Sequence, residues 1–225
     1  MAVSHMIRLS VPHTEIARSD IREMAASGEA YLDHALVWRL FPGDDSDRDF
    51  LFRRMRADHD RRDYLIVAKR LPVPNFADCR CDCKAYDPAP SVGTRLRFDL
   101  RANPTIARKR AGRSSQRHDV LADAWYRSSP DNPAERSRPP LEIARDWLLQ
   151  RSMQMGLQID PDALMVKNYI QHRLRRHDRT IQFSSVDFSG IACVTDTEKI
   201  ADALKRGIGH AKGFGCGLLL VRRAD

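Results

Sequence analysis

An α+β fold divided into two halves is what this 225-residue sequence predicts, on three observations. Apolar residues recur at two periods. Leu32, Leu36 and Leu40 come every fourth position, as on one face of a helix, whereas Leu96, Phe98 and Leu100 alternate, as on one face of a strand. A turn-rich stretch, DPAPSVG at 87–93, separates the halves. The second half then reads strand, helix, strand, strand, helix, strand.

In the first half, IRLSV at 7–11 is a short strand. A helix follows over roughly 21–41, with Ala35 beside its leucines, and Pro42-Gly43 stops it. DSDRDFLFRRMRAD at 45–58 reads as a second helix, its acidic residues in the first turn where the helix dipole favours them. YLIVAKRL at 64–71 and the stretch Cys79 to Tyr86 read as strands, which gives a small α+β domain over 6–86. Residues 87–93 are the linker to a second domain over 94–225. There TRLRFDLRANPT opens with a strand. Residues 101–117 carry six Lys or Arg and no acid, and the Ser-, Pro- and Arg-rich stretch 126–140 reads as a mobile loop. LEIARDWLLQRSMQMG at 141–156 is an amphipathic helix ending at Gly156. Two strands, 164–175 and 180–195, flank a basic turn. TEKIADALKRG is a short helix with Thr197 or Asp196 as N-cap, and GLLLVRR is the last strand. This second order is the ferredoxin-like split βαβ arrangement, which RNA-recognition domains share.

Composition narrows the function. With 42% hydrophobic residues the chain can bury a core. Lys and Arg outnumber Asp and Glu by 38 to 30, mostly through Arg, whose planar fork matches phosphate. An acidic partner such as nucleic acid is therefore expected. No apolar run approaches the roughly 18 residues that span a membrane, and no secretory signal is visible; a cytoplasmic protein without a membrane partner is expected. MAVSHM contains a vector-like junction, which would put the natural start at Met6. Five cysteines, three of them in Cys79-x-Cys81-x-Cys83, lack the paired spacing of a zinc site and read as reduced thiols. DDSD at 44–47 reads as a helix start and DHD at 58–60 as a solvated turn. No metal or cofactor is expected.

GIGHAKGFGCGLLLV at 207–221 holds five of the eleven glycines. One of them serves to end the preceding helix. The others permit a tight loop or a nest of N–H groups that receives an anion, with Lys212 as a point charge. Helix, glycines, strand is the reverse of the dinucleotide fingerprint, and the triphosphate loop's Gly-Lys-Ser/Thr ending is absent. A structural turn and a contact with a polyanion stay equally open.

Two further groups stand out. Tyr31 and His34 lie three apart and share a helical face, with Trp38 four beyond and Asp33 adjacent; a histidine alone serves many roles. Arg173, Arg175, Arg176 and Arg179 cluster at the predicted basic turn. Arg173 and Arg175 flank Leu174 and so share a face, either as a solvated hairpin or as an RNA contact. His172, His177 and His210 carry no clear signal.

GIGHAKGFGCGLLL closely resembles the C-terminal motif of the CRISPR precursor-RNA-processing endoribonucleases, in the form of the type I-E subfamily, CasE. RLSV at 8–11, YLDHALVWRLFPGDDSDRDFLFR at 31–53 and LRANPT at 100–105 resemble the family's other motifs, in the same order along the chain. The segment 110–140 matches no family pattern, and 13–28 is longer than usual. The resemblance implies two ferredoxin-like (RRM-like) domains in tandem and a catalytic pair at His34 and Tyr31. It implies cleavage of the CRISPR repeat stem-loop, after which the chain keeps the crRNA as a subunit of the type I-E surveillance complex. The basic hairpin, Arg173, Arg175, Arg176 and Arg179, would grip the stem. Arg101 and Asn103 would join it, packing being an equal account of Asn103, as would the loop residues Gly207, Gly209, Lys212, Gly215 and Gly217. RNA supplies its own nucleophile, the 2′-OH, so the expected products are a 2′,3′-cyclic phosphate and a 5′-hydroxyl. His34 would carry a proton, Tyr31 would position the 2′-OH, and Lys212 is a candidate for charge stabilisation or backbone binding. A non-catalytic RNA-hairpin-binding subunit of the same fold is the alternative, and a DNA-binding regulator a third reading.

Overall fold

The computed structural model describes residues 4–17, 27–43, 48–74, 76, 78–110, 113–127, 138–176 and 179–224. The first half contains β1 (Ser4–Pro12), a one-turn α1 (His13–Ile16), α2 (Glu29–Trp38), β2 (Phe50–Ala57), β3 (Arg61–Ala68) and β4 (Arg80–Tyr86). Its antiparallel sheet has the order β2-β3-β1-β4. Leu32 and Leu36 of α2, with Leu40 and Phe41 just beyond it, bury against Ile7, Leu9, Phe52 and Ile66. Burying each leucine contributes about 1.5–3 kcal/mol.

The segment expected as a second helix is instead the edge strand β2. Phe50 and Phe52 face the α2 layer, while Leu51 between them faces the other way onto Val67 and Leu218. Three consecutive buried apolar residues are the signature of a strand covered on both faces. The acidic lead at 44–47 that suggested a helix start lies outside the described residues.

The second half begins with β5 (Arg95–Ala102) and continues into a hairpin, β6 (Thr105–Arg110) and β7 (Arg113–Asp119), then α3 (Val120–Arg127). The Asp119 carboxylate caps α3 by accepting the N–H groups of Leu121 and Ala122 at 2.8 and 2.9 Å. The sequence showed only basic charge there, because the hairpin has no run of alternating apolar residues. Residues 128–137, most of the expected mobile loop, lie outside the described residues.

Next come α4 (Pro140–Leu149), a 3-10 turn (Ser152–Met155), β8 (Leu157–Ile159), β9 (Met165–Arg176), β10 (Arg179–Val194), α5 (Thr197–Arg206), a second 3-10 turn (Lys212–Phe214) and β11 (Leu219–Arg223). The expected helix to Gly156 is thus interrupted. The Ser152 hydroxyl donates to the Leu149 carbonyl at 2.8 Å, a side-chain bond that competes with helix continuation. Asp196 is the N-cap of α5, accepting from the Lys199 N–H at 3.0 Å. The sheet order is β11-β5-β10-β8, with β9 also on β10. Trp147, Leu148, Ile200 and Leu204 cover one face, over Leu100, Phe188 and Val194.

Both sheets have the ferredoxin-like order, so the chain carries that α+β arrangement twice; in the first, no helix separates β3 from β4 among the described residues. Leu51 and Val67 meet Leu218 in a buried cluster between the halves. Arg53 of β2 donates to Asp99 of β5 at 2.5 Å.

Cys79 and Cys81 pack against the first core, and burial pushes the Cys81 thiol up to about 11, which disfavours the thiolate that metals bind. Among the described residues, Asp58, His59 and Asp60 are the one group with metal-like spacing. There Asp58 Oδ1 already accepts the N–H groups of Asp60 and Arg61, each at 3.0 Å, as in a solvated turn. No helix among the described residues is long and apolar enough to cross a membrane.

Candidate active site

α2 buries Leu32 and Leu36 and turns His34 toward the glycine run, with Tyr31 beside it. His34 Nδ1 donates to the Gly213 carbonyl oxygen at 2.7 Å. A carbonyl only accepts, so the proton of the neutral ring is on Nδ1 and the lone pair is on Nε2. The imidazole is also held between rings. Its centroid lies 5.9 Å from Tyr31, 5.1 Å from Trp38 and 5.4 Å from Phe214. The series continues through Phe214 to Phe183 of β10 at 5.1 Å and on to His172 of β9 at 4.5 Å, both stacked.

Beneath His34, Asp33 fixes α2 to the sheet. Its carboxylate accepts from the Tyr64 hydroxyl at 2.8 Å and from Arg62 at 3.1 Å, and Arg54 lies 3.1 Å away. Glu29 pairs with the same two guanidinium groups. Burial pushes Asp33 upward against the pull of Arg54 and Tyr64, while the Arg62 hydrogen bond holds Glu29 low. Asp33→Ala should therefore cost about 3 kcal/mol in urea unfolding, since it strands buried donors. A loss below about 1 kcal/mol, the scale of a surface pair, would mean that Glu29 alone sustains the network.

The glycine run folds back on itself. The Ile208 N–H donates to the Gly217 carbonyl at 2.8 Å and the Gly217 N–H to the Arg101 carbonyl at 2.7 Å. Gly217 has φ +90°, and a Cβ there would meet the Ile208 carbonyl oxygen at 2.7 Å. Gly207, Gly209 and Gly215 have positive φ as well. Five glycines in so short a stretch thus let two backbone segments touch and bring the Gly213 carbonyl to His34.

The remaining expected site residues divide. Lys212 donates to the Arg206 carbonyl at 2.7 Å, at the negative end of α5. Arg101 grips Asp187 with two hydrogen bonds of 2.7 and 2.8 Å. Asn103 is buried and donates to the Ser184 carbonyl at 2.8 Å, joining β5 to β10. Arg173 and Arg175 are exposed on the face of β9 opposite His172 and Leu174 and have no ion pair among the described residues. The side chains of Arg176 and Arg179, and His177 entirely, lie outside the described residues. Sequence reasoning missed Arg48, whose Nη1 would lie 3.5 Å from a Cβ built on Gly213, itself 3.6 Å from His34 Nδ1. Burial lowers Arg48 from its ordinary value, yet a guanidinium stays charged. It was hidden in a segment read as the start of an acidic helix. Phe183 and Phe214 were missed too, since stacking between residues so far apart leaves no mark in a local pattern.

A family model described as CRISPR associated protein matches residues 5–223. The chain is similar to the CRISPR system Cascade subunit CasE of Escherichia coli, at 28% identity over 199 residues, covering 87% of this chain and 92% of that protein. It is similar to the CRISPR-associated endoribonuclease Cse3 of Thermus thermophilus, at 31% identity over 148 residues, which is 61% of this chain and 60% of that one. Among solved structures, Cse3 bound to a 19-nucleotide RNA superposes with a TM-score of 0.70 at 22% identity, covering 97% of this chain and 99% of that one. Cas6e of Escherichia coli gives 0.65 at 21%, covering 98% and 100%. At these identities the two superpositions show a common fold.

Proposed function

Because this chain belongs to the family of CRISPR-associated proteins, we propose that it is an endoribonuclease that cuts the CRISPR repeat stem-loop of precursor RNA and stays on the crRNA as a subunit of the type I-E surveillance complex. Its curated relatives, named an endoribonuclease and a Cascade subunit, support the reading. Residues 6–86 and 94–225 act as two domains joined by 87–93, in the cytoplasm, where precursor RNA is made.

The observation that carries the catalytic assignment is the hydrogen bond from His34 Nδ1 to the Gly213 carbonyl. It leaves the lone pair on Nε2, the arrangement of a base that takes the proton of the 2′-OH; the protonated ring is the matching acid for the leaving 5′-oxygen. Tyr31, one helical turn away, positions the 2′-OH. The scissile phosphate gains negative charge as the 2′-oxygen adds, and Arg48 beside Gly213 stabilises it. The 2′-oxygen forms a bond to phosphorus, the bond to the 5′-oxygen breaks, and a 2′,3′-cyclic phosphate and a 5′-hydroxyl result. The nucleophile belongs to the substrate, so the reaction requires no metal-bound hydroxide.

Cleavage of a repeat stem-loop in excess EDTA tests this. The native RNA is cut once, and an RNA with a single 2′-deoxy nucleotide at the cut is bound equally well and stays intact. Binding of native RNA without cleavage would leave only a non-catalytic hairpin-binding subunit, and equal affinity for duplex DNA at matched salt would indicate a DNA-binding regulator.

A further inference from the structure

Between the β9–β10 hairpin and β7 lies a groove of about 710 Å³, which His172 and Phe183, the far end of the aromatic series, also line. Gln171, Arg173 and Gln182 of the hairpin form one wall, and Arg117 and His118 of β7 form the other. Asn103 and Ser184 lie between them. The ring series from His34 through Phe214 thus reaches the edge of the groove. His172 ends the aromatic series at the rim of the groove, and Arg173, on the opposite face of β9 from His172 and Leu174, lines it. A smaller cavity of about 140 Å³ shares Thr105, Arg117 and His210 with the groove and extends it to Arg151.

The charge here is one-sided. Arg117 and Arg173 have no ion pair among the described residues. Arg151 lies 4.5 Å over the Trp147 ring and donates to the carbonyls of Trp147 and Thr105, and it has no ion pair among the described residues. Asp119 is the one acid lining the groove. One of its oxygens caps α3 and the other accepts from the Ser184 hydroxyl. Burial, with Arg117, Lys212 and Arg151 around it, lowers His210, as an uncompensated positive field should. Alongside these cations the walls offer amide and imidazole groups of the kind that read exposed base edges. Paired bases in an A-form stem hide those edges in a deep, narrow groove, whereas unpaired nucleotides present them.

We propose that this groove holds an unpaired stretch of the same RNA, adjoining the stem-loop, with phosphates on Arg117 and Arg173 and bases against Gln171 and Gln182. The assignment rests on the stem-loop reading above. It also gives a role to the charged β6–β7 hairpin, whose Arg117 and His118 form a wall of the groove.

Binding of RNAs made uncleavable by one 2′-deoxy substitution tests it, with fluorescence anisotropy at fixed salt. The bare stem-loop is compared with the same stem-loop carrying about six unpaired nucleotides on its 5′ or its 3′ side. For the wild type, one of the extended RNAs binds about tenfold more tightly than the bare stem-loop. Arg117→Ala abolishes most of that gain, lowers the salt slope for that RNA by about one, and leaves affinity for the bare stem-loop within about twofold. Arg117→Gln, which keeps most of the side-chain stem, behaves the same way, and both variants unfold within about 2 °C of wild type. Equal wild-type affinity for bare and extended RNAs, or a parallel loss for both in the variants, overturns the inference. If the wild type nevertheless cuts the bare native stem-loop, the proposed function stands and only the groove assignment falls. If it binds no stem-loop at all, both fall.

Discussion

His34→Ala should lower the single-turnover rate of stem-loop cleavage by about a thousandfold, within the range that positioned proton transfer contributes, with affinity changed by less than about threefold. The separation is expected because Arg173 and Arg175 lie on the far face of the hairpin and the α2 anchor runs through Asp33, not His34. Alanine also removes the donor to Gly213, so His34→Asn is the sharper variant. Its amide keeps a donor toward the carbonyl and has no proton to exchange near neutral pH. Both variants should be equally inactive. Asparagine retaining more than about a tenth of the wild-type rate would mean that His34 only holds the loop and that proton transfer occurs elsewhere.

The second large effect is expected at Gly217, which makes no contact with His34 itself among the described residues. Gly217→Ala puts a Cβ 2.7 Å from a backbone oxygen at φ +90°. The left-handed conformation costs about 1–2 kcal/mol for a residue with a Cβ, and relieving the clash a further 1–3 kcal/mol. Thermal unfolding should therefore begin several degrees earlier. Because the Gly217 carbonyl and N–H anchor the loop to Ile208 and Arg101, the Gly213 carbonyl should shift with it. A cleavage rate lowered at temperatures where the protein is still folded would show that the loop's shape serves catalysis. An unchanged rate would confine Gly217 to stability.

Much of this was legible in the sequence, for physical reasons that also explain the rest. Leu32, Leu36 and Leu40 repeat at the period of a helix, and Leu96, Phe98 and Leu100 at that of a strand, so α2 and β5 declare themselves. Phe50-Leu51-Phe52 defeats both patterns, because it buries one face against α2 and the other against Leu218 of the second half. Local periodicity does not encode a partner more than a hundred residues away. The β6–β7 hairpin hid for the opposite reason, since its residues offer charge and no apolar alternation. At the site, Tyr31 and His34 were visible as neighbours on one helical face. The Gly213 carbonyl was not, because backbone oxygens have no residue type to recognise, and Arg48 was masked by the acids before it.

The bond between His34 and Gly213 spans 179 residues of chain. At about 5–20 residues per second on the ribosome, the histidine emerges roughly 10 to 35 s before its carbonyl partner is made. Throughout that interval a nascent first half displays the imidazole proposed to carry the proton, on a helix with its own core, before the carbonyl that fixes its tautomer exists. A product terminated before the glycine run is therefore left without the contact that sets the proton on Nδ1.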